Sequence, residues 1–374
     1  MNAEWGRQRP FSYRRFRKGG YEARENTLSG KTMRRILLIL LIFVLLLQQR
    51  HSPKDDPVAA GALLVTATPL PLDGSDPGRT RLGPLRWLGG WDLRSRQDGF
   101  GSISSMIVAE DGALLALSDG ATLMGFRVGG PRGTTAATGG QFIAPLPIRP
   151  HERSWPNWKW DSESMVHDPV SGAYWVGFEL QNRICRYSPG FARVEECRKP
   201  PEMQDWPDTG GAEAMTRLPD GRFLVFSEKG AGPGPAIGND LLVFSGDPAE
   251  DATPPALRIT YRPPQGFVPT DAVYIGHNRL IVLNRRVTFY EGFTAMLALV
   301  DMPPLRPGAV LVGKPIAHLA PPVLADNFEA LAIGREGKDM VLWVASDDNN
   351  EFFQRTLLLK FALPRDWWQE PPRH

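Results

Sequence analysis

Along most of this chain, apolar and polar positions fall in short runs broken by tight turns, and helical spacing is almost absent. One phrase recurs: an acidic residue, an apolar run, a turn, a second apolar run and, in most copies, a closing acid. It runs from Glu163 to Glu179, from Glu213 to Glu228, from Asp271 to Arg285 and from Glu329 to Asp347. A fifth copy ends at Asp119 and has Ser104 and Ser105 where the opening acid would stand. Each copy has the grammar of a β-hairpin. Turns such as Glu110-Asp111-Gly112 and Pro219-Asp220-Gly221 supply the positive-φ positions that such hairpins need. The copies begin about 50 to 60 residues apart, which suits one four-stranded propeller blade each.

This pattern predicts an all-β chain folded as a β-propeller, with a β-sandwich as the alternative. The runs FLVFS and MVLWVAS are almost continuously apolar and are expected to be inner strands. RICRYSP, DLLVFSG, TAMLALVD and RTLLLKFAL are expected to follow them as third strands. LRWLGGWDL and ALLVTATPLPL, near the start, are expected to close the ring by pairing with the last blade. Five copies plus this early material predict six blades.

Composition agrees with many short strands, since the chain carries 38 glycines, 35 prolines and 11 tryptophans. Net charge is only +2, and the basic excess sits at the start. The folded body therefore has no basic surface of the kind that nucleic acid requires. Residues 1–35 hold ten Lys or Arg against three Glu, followed by the wholly apolar Ile36–Leu47. That order is the signature of a secretory signal or a signal anchor. The expected domains are a leader over 1–50, a tether and entering strand over 51–84, and the propeller over 85–374. The leader predicts a periplasmic or otherwise extracytoplasmic protein, held at the inner membrane if the segment stays uncleaved. The two cysteines, Cys185 and Cys197, flank a turn and are expected to pair in an oxidising compartment. A reduced, buried pair is the alternative.

A hairpin brings the start of its first strand beside the end of its second. Glu163 is thus expected opposite Glu179, Glu213 opposite Glu228, and Glu329 opposite Asp347, all at one mouth of the propeller. Asp271 and Arg285 form the one mixed pair. Carboxylates gathered this way repel one another unless a positive charge intervenes. Glu163, Glu179, Glu213, Glu228, Asp271, Glu329 and Asp347 are therefore candidate ligands for a divalent cation, calcium ahead of magnesium. Glu213, Glu163 and Glu329 are the candidate catalytic carboxylates, with Arg285 to neutralise the transferred or leaving group. Lys229, Arg183 and Arg286 are candidate substrate-binding cations. The competing reading is that these acids only tie neighbouring blades together through backbone N–H groups. No G-x-S-x-G elbow, H-E-x-x-H helix or phosphate loop occurs.

DSESMVHDPVSGAYWVGFE, GGAEAMTRLPDGRFLVFSE and DNFEALAIGREGKDMVLWVASDDN resemble the family named for esterase-like activity of phytase. The resemblance runs from about Phe100 to Leu363. It implies a β-propeller, export, and hydrolysis of a small phosphoric or carboxylic ester. Matched by position, it points to the acids above and to Arg285. The chain departs from the family at Phe100-Gly101-Ser102-Ile103-Ser104, where F-G-G-L-S is usual. A non-catalytic propeller that binds a ligand or partner is the alternative function.

Overall fold

A computed structural model describes residues 58–128, 141–152, 155, 157–233, 237–351 and 353–369. The leader and its apolar run lie outside these residues; among those described, no helix is long and apolar enough to cross a membrane. The described residues form five sheets, each wound outward from one inner strand and antiparallel throughout except where Val310–Val312 joins the edge of blade three parallel to Leu257–Arg262. The inner strands are Ile103–Val108, Ser162–His167, Ala212–Arg217, Val268–Gly276 and Phe328–Glu336, and each packs against the next until the last meets the first. This is a β-propeller with five blades.

The sixth blade expected from the sequence is absent because its material is spent on the fifth. Leu85–Arg94 pairs with Thr356–Ala362 as the fourth strand of blade five, and Thr66–Pro69 adds a fifth strand outside it. The ring is therefore closed by strands from both ends of the chain, as LRWLGGWDL and ALLVTATPLPL suggested. The two-residue strand Gly61–Ala62 caps the outer edge of blade one.

FLVFS and MVLWVAS are second strands, not the inner ones expected. A second strand is bonded on both edges and covered on both faces, so it has no polar side. Phe223 and Val225 pack into the core between blades two and three, while Leu224 and Phe226 pack between blades three and four. Blade five repeats this, with Leu342 and Val344 facing blade four, and Val341, Trp343 and Ala345 facing blade one. The inner strands line the axis, and this leaves them free to carry the acids.

Cys185 and Cys197 stand directly opposite each other on the third and fourth strands of blade two and form a disulfide. It closes a short loop on the edge of one blade. The double substitution of both cysteines by serine should lower stability by about 2–4 kcal/mol. Urea unfolding of the oxidised protein and of the variant checks this, and equal midpoints would refute it.

Candidate carboxylate site at the channel mouth

Every inner strand bulges at its mouth end. Register shifts fall between Ile103 and Ser105, Ala212 and Ala214, Pro269 and Asp271, and Phe328 and Ala330, and opposite Gly177 and Phe178 in blade two. The extra residues are Ser104, Glu163, Glu213, Thr270 and Glu329. A bulge re-aims the side chain it carries. Gly177 makes room for the one in blade two, since a Cβ there would collide with Ser164 Oγ.

The bulge sorts the repeat by chemistry. Ser104 Oγ donates to the Ser162 carbonyl at 2.5 Å and Thr270 Oγ1 to the Phe328 carbonyl at 3.5 Å, each tying its blade to the next. Glu163, Glu213 and Glu329 carry carboxylates at the same position. Asp271 lies one residue out of phase with them. Its Oδ1 accepts the Ala272 N–H at 2.7 Å and its Oδ2 the Leu331 N–H at 2.6 Å, so it stitches blade four to blade five. Ser105, its counterpart in blade one, accepts the Met165 N–H at 2.9 Å in the same way. For Asp271, then, the backbone-tying role is the one the structure displays.

The remaining acids converge. Oxygens of Asp161, Glu163 and Glu179 lie within 4.8 Å of one another, as do oxygens of Glu179, Glu213 and Glu228. Glu179 belongs to both groups. Arg285 closes the far side, donating through Nη2 to Glu228 Oε1 at 2.5 Å and through Nη1 to Glu329 and, at 3.1 Å, to Asn327 Oδ1. Lys229 Nζ stands 3.2 Å from Glu228 Oε2 on a half-exposed side chain. Asp347 lies beside Glu329, with its Oδ1 on the Asn349 N–H at 2.6 Å and its Oδ2 on Asn327 Nδ2 at 3.3 Å.

Arg183 is held elsewhere, and Arg286, though beside Arg285, is engaged by other partners. Arg183 is buried, donates to Glu152 Oε1 at 2.5 Å, and has its guanidinium 4.8 Å from the Phe178 ring and 5.4 Å from that of Trp160. Trp155 stacks on Trp160, so these tryptophans fill a gap beside blade two. Arg286 covers the Phe267 ring at 4.5 Å and bonds Glu291 at 2.6 Å.

Burial, then mutual repulsion, sets the electrostatics of the mouth. Burial and the neighbouring Glu213 hold the Glu163 carboxyl well above the usual range, and burial with Glu179 does the same to Glu213. Asp161 is pushed up to about 8 by burial and by Glu179, and Asp119 to about 7 by burial despite the Gly120 N–H. Burial raises Glu329 against the pull of Arg285, and raises Asp347 with Glu329 adding to it. Burial works against the Arg285 charge, but Glu329 and Glu228 outweigh it. Asp161 was not singled out from the sequence. The signal was an acid two residues before Glu163, at the entry to the same inner strand.

A carboxyl group whose folded pKa is raised binds its proton more tightly folded than unfolded, so folding is favoured at acid pH and weakened as pH rises. The cluster should therefore destabilise the ion-free protein progressively between about pH 4, the ordinary carboxylate value, and about pH 8, where Asp161 titrates. Added calcium should restore stability, and restore more at pH 8 than at pH 5. Thermal unfolding at both pH values, with calcium and with chelator, measures it. A calcium effect that is equal at both would count against the cluster as the site.

The chain overlaps several solved structures at low identity. It is similar to the Malassezia sympodialis allergen Mala s 1 at 13% identity and a TM-score of 0.41, covering 79% of this chain and 94% of that one. It is similar to the PQQ-bound aldose sugar dehydrogenase of Streptomyces coelicolor at 13% identity and a TM-score of 0.38, covering 76% and 99%. For the Cps50 β-propeller domain of Myceliophteria thermophila the identity is 9% and the TM-score 0.37, covering 82% and 100%. At these scores none bears on what the mouth does. No curated protein matches the chain significantly. The model of one family, phytase-like or esterase-like activity of phytase, matches residues 98–350, a span that holds all five inner strands and every carboxylate of the mouth. The chain belongs to the phytase-like family, described as esterase-like activity of phytase.

Proposed function

We propose that this protein is an ester hydrolase acting on small phosphoric or carboxylic esters at the carboxylate mouth. The observation that carries this reading is the pair of three-carboxylate groups sharing Glu179, with oxygens no more than 4.8 Å apart. Oxygens on opposite sides of a calcium ion, with ligand distances of about 2.3–2.6 Å, are themselves about 5 Å apart. An all-oxygen donor set of this spacing fits a hard divalent cation, with either Asp161, Glu163 and Glu179 or Glu179, Glu213 and Glu228 as the residues to hold it. When bound, such an ion polarises the ester oxygen as a Lewis acid.

The chain's own groups supply the rest. In the ion-free cluster burial lifts the Glu163 and Glu213 carboxyls, and whichever of the two stays outside the ion's ligand set is suited to take up and release a proton in general acid–base catalysis. Arg285 bridges Glu228 and Glu329, fixes their spacing and brings positive charge to the mouth. Lys229 is exposed enough to meet an anionic group at the rim. The basic leader and its apolar run support an extracytoplasmic setting, where such esters are met outside the cell interior. Assay of the full chain against a phosphomonoester, phytate, a carboxyl ester and a lactone, with calcium and with chelator, tests the reading. Calcium-dependent turnover of at least one is expected. No turnover of any would overturn it in favour of a propeller that only binds.

A further inference from the structure

On the mouth side blade four is built taller than blades two and five, and blade three rises with it, its second and third strands meeting again at Ala231 and Asn239. Arg279–Thr288 and Gly292–Asp301 stay paired rung by rung from Arg279 and Asp301 up to Thr288 and Gly292. In blade two the corresponding pairing stops at Phe178 and Arg183, and in blade five at Ala345 and Leu358. The hairpin therefore continues three residues beyond Arg285, which lifts its tip ~10 Å above the carboxylates.

That tip is Phe289-Tyr290-Glu291, with Phe289 96% and Tyr290 95% exposed. Both rings stand in solvent, edge to face at 5.4 Å. The turn that carries them is braced through Glu291. The Glu291 N–H donates to Thr288 Oγ1 at 3.1 Å, and the Glu291 carboxylate accepts from Arg286, whose guanidinium rests on Phe267. At the foot of the hairpin lies a cleft of about 280 Å³ lined by Glu228, Gly266, Val268, Arg285, Arg286 and Val287. Residues two apart in a strand share a face, so Arg285 and Val287 present one wall. Along that wall the surface changes from guanidinium to hydrocarbon within ~7 Å, and the tip follows two residues beyond Val287 in the chain.

We propose that this cleft and the hairpin above it form a subsite for the apolar acyl, alkyl or aryl group of an ester whose polar head sits at the mouth. The head meets Arg285 and the carboxylates, while the apolar group lies along Val287 and Val268 toward Phe289 and Tyr290. The term substrate here rests on the hydrolase reading; binding does not. Each methylene fully covered tightens binding about fourfold.

Hexyl phosphate and methyl phosphate, titrated into the full chain by calorimetry with calcium present, test the subsite. Hexyl phosphate should bind about tenfold or more tightly than methyl phosphate. In Val287→Ser/Phe289→Ser, whose positions are exposed enough to tolerate the change, that preference should fall below about threefold. Val170→Ser, at an exposed turn on the opposite end of blade two, should keep it. Equal affinity for the two phosphates, no saturable binding of either, or the same loss in Val170→Ser overturns the subsite. So does binding to phosphatidylcholine vesicles that Phe289→Ser abolishes, where no preference for the hexyl chain exists, because the tip would then serve a bilayer. A chain-length preference without turnover of any ester leaves the subsite standing and removes the hydrolase reading. Turnover without the preference does the reverse.

Discussion

Glu213→Gln should lower kcat by about 10²- to 10⁴-fold on any ester the protein turns over. Glutamine keeps the shape of the side chain and removes both its charge and its exchangeable proton. Glu213 shares a three-carboxylate group with Glu179 and Glu228, and its charge is the nearest neighbour raising Glu163. The substitution should therefore weaken calcium binding as well, which calorimetry reads directly. Its effect on stability should have the opposite sign. In chelator at pH 8, removing one of several buried, mutually repelling carboxylates should raise the unfolding midpoint, the usual conflict between an active site and its fold. A residue kept only for structure would lower the midpoint instead. Activity that persists equally in Glu213→Gln and in chelator would sink the proposed role.

Arg285→Met should cost about 2–4 kcal/mol of stability at neutral pH, because it leaves Glu329 without its counter-charge and Glu228 with only the half-exposed Lys229. The guanidinium spans Glu228 and Glu329 from a side chain only 23% exposed, so water replaces it poorly. Methionine keeps much of the volume, which isolates the charge. The loss should shrink toward pH 4, since burial holds the Glu329 carboxyl above its usual range and, once protonated, it no longer needs the cation. Arg285→Lys should lie between the two, as one ammonium cannot fork to both partners. Urea midpoints at pH 4 and pH 7 measure the difference. A loss that is the same at both would mean that Arg285 acts through packing.

Much of this was legible in the sequence because hairpins announce themselves. The Asp-Gly turns, the doubly apolar second strands and the repeat spacing were enough for a propeller, and the facing ends of a hairpin were enough for a ring of acids. Blade number was not legible, because nothing local in LRWLGGWDL says whether a strand that pairs with the last blade completes that blade or begins another. The assignment of FLVFS and MVLWVAS as inner strands failed for a related reason. A strand buried on both faces looks the same whether it lies at the axis or one place out.

The site was read less well than the fold, and the bulges explain why. Asp271 and Glu213 look equivalent in the repeat, yet one extra residue in each inner strand decides which side chain enters the mouth. By that count Thr270, not Asp271, corresponds to Glu213. Arg183 illustrates a different limit. Its place four residues past Glu179 suggested the rim, but Glu152, from a segment with no repeat signature, draws it inward.

Closure of blade five by both ends of the chain has a consequence for synthesis. Leu85–Arg94 is made before blade one, but its partner Thr356–Ala362 is made only after blades one to four. Until then the ring stays open, with Phe328–Glu336 lacking its fully assembled sheet and an apolar edge facing water. Such edges are the ones that pair with the wrong chain. Folding therefore favours holding the nascent protein unassembled until its final strand arrives, and a chain cut short before Thr356 would keep that edge exposed for good.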